Sequence, residues 1–271
     1  MRIGTHTLLV TLVCALASGC PRTPEPGSET ASSDWGAGNA GGNGDGVAEQ
    51  QNTQPVVAPV APPPVAPQVA PTVPQSSGPV PTTPALHNPA LATETAPARF
   101  SVELVTTKGP IVIDVTRAWA PHGADRFYNL VRAGYFTDVA FFRVLTGFMA
   151  QCGIHGDAGV NRAWHNANIP DDPVTQHNTR GFVSFATAGP NTRTTQFFVN
   201  YGDNSSLDGM GFAPFGRVRD MTAVEALYAG YGEGAPSGRG PMQGRLNNEG
   251  NPYLRAEFPQ LDYIQRASVL P

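Results

Sequence analysis

The sequence predicts a mainly β domain over residues 98–271, closed into an antiparallel barrel capped by two α-helices and preceded by a disordered tether. Three observations predict this. Short apolar segments, separated by glycine and proline, follow one another after residue 98. Only two segments show an apolar face at helical spacing. Before residue 98 the chain is rich in proline, glycine, serine and alanine. A closed barrel is expected because closure removes exposed strand edges.

The first elements form a predicted hairpin. Residues 100–105 alternate between apolar and polar side chains, as a half-buried strand does. Gly109 and Pro110 mark a turn, and residues 111–115 form the second strand. Residues 118–135 then predict a helix, because Pro121 suits a first helical turn. Further strands are predicted at 139–145, 148–152, 181–186, 196–200, 215–218 and 261–265, with a second helix at 221–227.

Charge excludes one class of partner. The chain carries a formal net charge of −4, and the acidic excess lies before residue 98. From Arg99 onward basic and acidic side chains balance. A nucleic-acid-binding domain needs a basic face, so no nucleic acid partner is expected. We expect a monomer.

The amino terminus reads as an export signal. Residues 1–19 contain Arg2 and an apolar run over 8–17 that is too short to span a bilayer. The run ends in small residues before Cys20, a pattern that resembles the lipobox of bacterial lipoproteins. The resemblance implies lipidation of Cys20 and a membrane-anchored lipoprotein of the cell envelope, on the periplasmic or outer-membrane side. An ordinary signal peptide cut near Ala17 is the alternative.

Residues 20–97 are predicted to be a disordered linker. Residues 28–46 are rich in glycine, serine, alanine and asparagine, which favours a flexible coil. Residues 56–84 repeat Val-Ala-Pro, which favours extended polyproline II. The segment therefore reads as a spacer, and a proline-rich ligand for a partner is the alternative.

Two blocks of the predicted domain carry candidate chemistry: residues 141–153 and residues 181–200. Strand alternation places Met149 and Gln151 on one face, and it places Gln196 and Phe198 on one face. Arg143 lies in an otherwise apolar strand, so its charge must be paired or must point into a groove. Taken singly, Arg143 could be an ion-paired edge residue, and Met149 and Phe198 could belong to the core.

Taken together, the two blocks resemble the cyclophilins. Residues 141–153 match the family's run Phe-aromatic-Arg-x-x-x-Gly-Phe-Met-x-Gln-Gly-Gly, with Cys152 in place of a glycine. Residues 184–198 match its run Ser-Met-Ala-(Asn/x)-Ala-Gly-Pro-Asn-Thr-x-x-Ser-Gln-Phe-Phe, and residues 207–209 and 215–218 follow in the family's order. The resemblance covers about residues 98–267 and implies an eight-stranded barrel with its active groove on the outer surface.

The resemblance also implies a role for each site residue. Arg143 matches the catalytic arginine, and Gln151 matches the residue that orients it and the substrate carbonyl. The pocket for the proline ring matches Phe148, Met149, Phe198, Leu207 and Phe212. The strand edge that holds the substrate backbone matches Ala186, Thr187, Ala188 and Gln196. Thr187 replaces the usual asparagine, and Ser206 stands where many eukaryotic members have tryptophan. The family's pocket histidine falls at Gly211 or Phe212, of which we favour Phe212.

The predicted function is therefore peptidyl-prolyl cis-trans isomerisation of exported, proline-containing polypeptides. No cofactor and no metal are expected, although His155, His165 and Asp157 could form a metal site. The segment Gly230–Gly240 is not a phosphate-binding loop, because no strand precedes it and no lysine follows it. One alternative is a peptide-binding or chaperone module without isomerase activity. Another is an anchored structural protein whose active part is the Val-Ala-Pro segment.

Overall fold

A computed structural model of the protein describes residues 83–271. The predicted signal peptide, Cys20 and residues 20–82 of the predicted linker lie outside the described residues. The described strands are β1 (Arg99–Thr106), β2 (Gly109–Thr116), β3 (Val139–Ala140), β4 (Arg143–Leu145), β5 (Met149–Cys152), β6 (Phe182–Phe185), β7 (Phe197–Asn200), β8 (Pro214–Val218) and β9 (Tyr263–Val269). The α-helices are α1 (Pro121–Arg132), α2 (Ala158–Trp164), α3 (Thr222–Glu225), α4 (Gln243–Glu249) and α5 (Asn251–Glu257).

The strands form one curled antiparallel sheet with nine strands in the order β3-β9-β1-β2-β8-β6-β7-β5-β4. The predicted hairpin is present as β1 and β2, and the predicted strand over 139–145 is divided into β3 and β4 by Phe141 and Phe142. The two divided parts pair with different neighbours, β9 and β5. No ladder within residues 83–271 pairs β3 with β4. The mainly β prediction is confirmed, and the closed eight-stranded barrel is not.

The inner face of the sheet carries the main hydrophobic core. Strand alternation sends one set of side chains inward, and helix α1 packs on it through Phe127. Phe127 makes an edge-to-face contact with Phe197 at a ring-centroid distance of 5.5 Å. Helix α1 has Pro121 in its first turn, as predicted, but it is shorter at both ends than the predicted helix over 118–135. The N–H groups of its first turn donate to a residue far along the chain. The carboxylate of Asp172 accepts from the N–H groups of His122 and Gly123 over 2.9 and 2.8 Å.

The sequence predicted two helices, and the described residues contain three more. Helix α2 begins after Asp157, whose carboxylate accepts from two N–H groups of the first turn. Helices α4 and α5 meet at Gly250, and Pro252 occupies the first turn of α5. They enclose a second, smaller core with the chain around Phe142 and Phe258. No helix among residues 83–271 has both the length and the apolar character needed to cross a bilayer.

Residues 83–97 were expected to belong to the linker, and they pack against the domain. Two short 3₁₀ turns, Pro84–Leu86 and Pro89–Leu91, are followed by an extended segment. Leu86 is 4% exposed and lies in the main core, and its carbonyl accepts from the indole N–H of Trp164 over 2.8 Å. The folded region therefore begins before residue 98.

Candidate active site

Three strands place a row of site residues on the outer face of the sheet. Arg143 on β4 lies opposite Gln151 on β5, and Gln151 lies opposite Phe198 on β7. Alternate residues of the same strands, such as Val144 and Ala150, point into the core. This register is why an arginine and a glutamine can occur within strands whose other side chains are apolar.

An apolar cluster, here called the pocket after the proline pocket expected from the sequence, adjoins this row. Its floor is a cluster of four buried side chains, packed together and separate from the main core: Met149, Phe198, Leu207 and Phe212. The rings of Phe198 and Phe212 meet nearly edge to face at 5.6 Å. Partly exposed side chains at its margin are Leu145, Phe148 and Ala186. The structure thus brings together all five residues predicted to hold a proline ring, Phe212 among them.

Arg143 lies between this pocket and an acidic partner that the sequence did not predict. Its Nε and Nη2 groups each donate to a different carboxylate oxygen of Glu233 over 2.6 Å. Its Nη1 group donates to Oε1 of Gln151 over 3.1 Å and lies 3.9 Å from Sδ of Met149. The guanidinium carbon lies 6.0 Å from the ring centre of Phe148. Both possibilities considered for Arg143 therefore hold, since it is ion-paired and also adjoins a pocket.

A chain of side-chain amides continues from Arg143 along the outer face. Gln151 accepts from Arg143 with its oxygen and donates from its nitrogen to Oε1 of Gln196 over 2.9 Å. Because one end of each amide donates and the other accepts, these contacts fix the orientation of Gln151. The arrangement aligns three predicted site residues, Arg143, Gln151 and Gln196, in one hydrogen-bonded series.

The predicted backbone-binding edge lies just after β6. The N–H of Ala186 donates to the carbonyl of Gln196 over 2.9 Å. The N–H of Ala188 donates to the hydroxyl of Thr192 over 2.9 Å. The hydroxyl of Thr187 contacts the Gly189 carbonyl and lies 3.0 Å from that of Thr192, so this side chain stabilises its own turn. The N–H groups of Ala186 and Ala188 are thus already bonded within the protein.

Two buried asparagine side chains hydrogen-bond to the main chain of pocket residues. The side-chain nitrogen of Asn178 donates to the Phe212 carbonyl over 2.8 Å, and its oxygen accepts from the Ser184 hydroxyl over 2.7 Å. The side-chain nitrogen of Asn204 donates to the Phe148 carbonyl over 2.8 Å. Two pocket residues are therefore held in place through their main chains by asparagines that sequence reasoning missed. In the sequence, the only signal for these two residues is that each asparagine lies close to a predicted apolar strand.

Two further titratable side chains, Cys152 and His155, have pKa values that are shifted mainly by burial. Burial raises the pKa of the Cys152 thiol, which packs in the main core. Burial also lowers the pKa of His155, and its Nδ1 accepts from the N–H of Asp157 over 2.9 Å. Within residues 83–271 no three His, Cys, Asp or Glu side chains are grouped so that they could hold a metal ion. The site can bind an apolar ring and can direct charged N–H donors beside it.

Comparison with known proteins gives a family. A family model described as "Cyclophilin type peptidyl-prolyl cis-trans isomerase/CLD" matches residues 101–242. Peptidyl-prolyl cis-trans isomerase-like 1 of Gibberella zeae is 34% identical over 122 residues, which are 44% of this chain and 75% of that protein. Peptidyl-prolyl cis-trans isomerase-like 3 of Homo sapiens is 37% identical over 125 residues, which are 45% of this chain and 76% of that protein.

Two solved structures of one protein align with this chain. A crystal structure of a cyclophilin-type peptidyl-prolyl cis-trans isomerase of Cryptosporidium parvum aligns with a TM-score of 0.47 at 19% identity. The alignment covers 64% of this chain and 98% of that chain. A second structure of that protein, in the presence of the dipeptide Ala-Pro, aligns with a TM-score of 0.46.

The relatives contradict the predicted location. The relatives named above and others like them are peptidyl-prolyl isomerases and isomerase-like proteins of eukaryotes, including fungi, mouse and human, and not bacterial lipoproteins. The prediction of a lipoprotein anchored in the cell envelope is therefore wrong. The small residues before Cys20 misled it, because a short motif of this kind also arises in unrelated sequences.

Proposed function

The chain belongs to the cyclophilin-type peptidyl-prolyl cis-trans isomerase family, and from that premise we propose that its site accelerates X-Pro isomerisation through Arg143. The substrates are proline-containing polypeptides. Export of those substrates depended on the envelope location alone, so it forms no part of the proposal.

The chemical problem is a twist about a partial double bond. Amide resonance creates a barrier of about 18–20 kcal/mol, and the uncatalysed X-Pro reaction takes tens to hundreds of seconds. In the twisted transition state the amide nitrogen regains its lone pair. A donor directed at that nitrogen binds the transition state more tightly than either ground state, which is the condition for catalysis. No proton transfer or covalent step is required.

One observation carries the proposal: the Arg143 guanidinium adjoins the apolar pocket, with Nη1 only 3.9 Å from Sδ of Met149. A proline ring seated on Met149, Phe198 and Phe212 would bring its nitrogen to the side of the pocket where this cation lies. Arginine suits the role because its guanidinium is always charged and presents several donors in a rigid fork. Gln151 accepts from the same Nη1 and supports its orientation.

The test is isomerisation of an Ala-Pro peptide, measured by exchange NMR without a coupled protease. We expect wild-type catalysis, and we expect Arg143→Ala to lower kcat/KM by about 100-fold or more, as the loss of one transition-state donor does. Arg143→Lys keeps the charge and loses the fork, so it should remain strongly impaired. Wild-type exchange at the uncatalysed rate, with the peptide still bound, would instead support the peptide-binding module.

A further inference from the structure

The segment Gly230–Gly240, here called the glycine segment, gives Glu233 a defined position. It was set aside in the sequence as something other than a phosphate loop. In the structure it carries the carboxylate that reaches Arg143 across 90 residues of sequence. Gly234 and Gly240 form an isolated bridge within the segment, so the chain on either side of residues 235–239 is held together.

Two glycines are required by the backbone of Glu233. The N–H of Gly240 donates to the Glu233 carbonyl over 2.7 Å, and a Cβ at Gly240 would lie 2.9 Å from that oxygen. A Cβ at Gly238 would overlap the same carbonyl. The N–H of Gly234 donates to Oε1 of Glu233 over 2.9 Å. The glycine segment is therefore a close-packed cradle around one acidic residue.

Burial gives this residue its electrostatic importance. Arg143 is 4% exposed and Glu233 is 23% exposed at their side chains. A cation so enclosed beside apolar groups is costly unless a counter-charge and hydrogen bonds compensate it. A two-point contact between carboxylate and guanidinium also fixes the plane of the guanidinium, which a single hydrogen bond does not.

The contact uses the side of Arg143 that faces away from the pocket. Glu233 takes Nε and Nη2, whereas Nη1 is the nitrogen next to Met149 and Gln151. The guanidinium is thus held at both ends, by Glu233 at one and by Gln151 at the other. The ion pair thus holds the guanidinium by its Nε–Nη2 edge, whereas Nη1 contacts Gln151 and Met149.

We propose that Glu233 is a positioning residue for isomerisation: it holds the Nε–Nη2 edge of Arg143 so that Nη1 stays directed at the proline pocket. The proposal rests on the proposed function. Positioning contributes to rate because a donor displaced by about 1 Å can lose on the order of 100-fold in rate. The glycine segment is then part of the active site, because it carries the carboxylate that holds Arg143.

The experiment uses the full chain with Glu233→Gln, Glu233→Asp and Arg143→Ala, the double variant Arg143→Ala/Glu233→Gln, and Ser237→Ala as the matched control. Ser237 is exposed on the same segment and lies outside the ion pair. Exchange NMR on the Ala-Pro peptide gives kcat and KM separately. The ¹⁵Nε–¹Hε resonance of Arg143 reports on the ion pair, and each assay is run well below the melting temperature of its variant.

Glu233→Gln is expected to lower kcat by about tenfold or more with KM changed less than about twofold, and to shift the Arg143 Nε–Hε resonance. Glu233→Asp should recover part of the lost kcat, and Ser237→Ala should match wild type. In the double variant the glutamine should add nothing to the loss from Arg143→Ala, because the two residues act as a unit.

Each contrary result has a separate meaning. If Glu233→Gln shifts the resonance and kcat stays at or above the wild-type value, the positioning role is overturned while the proposed function stands, provided Arg143→Ala remains impaired. If Arg143→Ala retains wild-type activity, or wild type shows no catalysis, the proposed function fails and the role of Glu233 fails with it.

Discussion

The Nη1 group of Arg143 donates a hydrogen bond of 3.1 Å to Oε1 of Gln151, its direct cross-strand partner. Gln151 in turn donates to Gln196, so its oxygen is directed at Arg143 by the pattern of hydrogen bonds. The cross-strand register alone brings the two residues face to face, because opposite residues on neighbouring antiparallel strands lie on the same side of the sheet.

Replacing Gln151 by Leu should therefore impair turnover more than binding. Leucine has a branched apolar side chain that ends at Cδ, so it fills part of the same volume and removes the acceptor that Nη1 uses. We expect kcat to fall by about tenfold, because Arg143 loses one of its two anchored ends. The measurement is exchange NMR on the Ala-Pro peptide over a range of peptide concentrations.

Thr146→Ala serves as the control for Gln151, since Thr146 lies exposed in the turn between β4 and β5. It should leave both kcat and KM unchanged. A wild-type kcat in Gln151→Leu would show that Arg143 needs no support from this side.

Asn178→Ala should destabilise the protein and weaken peptide binding. The fully buried Asn178 side chain accepts from Ser184 and donates to the carboxylate of Asp208 and the Phe212 carbonyl. Its removal leaves buried polar groups without partners, and we expect the free energy of unfolding to fall by about 3 kcal/mol. Urea denaturation measures this change, and KM should rise because Phe212 loses its main-chain support.

The neighbouring residue offers a matched control for Asn178. His177 also contacts Asp208, at 2.8 Å, but its side chain is 80% exposed. His177→Ala should change the free energy of unfolding by less than about 1 kcal/mol. Equal losses in the two variants would contradict a special role for the buried asparagine.

Leu86→Ala should destabilise the domain although residue 86 precedes the first strand. Leu86 lies in the main core beside Trp164, and truncating a buried leucine costs about 2–5 kcal/mol. Thermal unfolding followed by circular dichroism measures the loss. Leu91→Ala is the control, because Leu91 is 55% exposed and should matter by no more than about 0.5 kcal/mol. A Leu86→Ala variant as stable as wild type would mean that residues 83–97 are not anchored in solution.

His155 should make stability depend on pH. Burial lowers its pKa below the usual 6.5, and this outweighs the nearby carboxylates of Asp157 and Asp138, which act in the opposite direction. As pH falls through about 6.5, the unfolded chain binds a proton that the folded protein does not. The contribution of His155 to stability is therefore complete above that pH and is lost as pH falls below it.

The comparison of wild type with His155→Gln isolates this effect. Melting temperatures measured from pH 7.5 down to 5 should fall more steeply for wild type than for the variant. Parallel profiles would assign the pH dependence to other groups.

The sequence predicted most strands of the sheet because strand alternation is a local signal, whereas the pocket residues came from the resemblance to the cyclophilins. Strand period alone placed Met149 with Gln151 and Phe198 with Gln196 on common faces, and the register of β5 and β7 joins those faces. The resemblance to the cyclophilins supplied their roles. Helix α2 also had a local signal, the capping residue Asp157, that was not used.

Other features had no local signal. The pairing of Arg143 with Glu233 joins residues 90 apart, and the glycine segment has no period that predicts where its carboxylate points. Residues 83–97 share the proline and alanine content of the predicted linker, and only packing of Leu86 and Ala96 on the domain distinguishes them. Gly250 separates helices α4 and α5, and Pro252 lies in the first turn of α5. In a sequence, both residues favour a loop.

The strand order has a consequence for synthesis on the ribosome. β9, the last strand of the described residues, pairs with β1 and β3, which are synthesised well before it. Until Tyr263–Val269 has left the exit tunnel, both of those strands keep an open edge that can pair with other chains. Contacts between such distant parts of a chain form late. The sheet of a protein whose family speeds a slow step in folding is thus itself completed only after residues 263–269 have been translated.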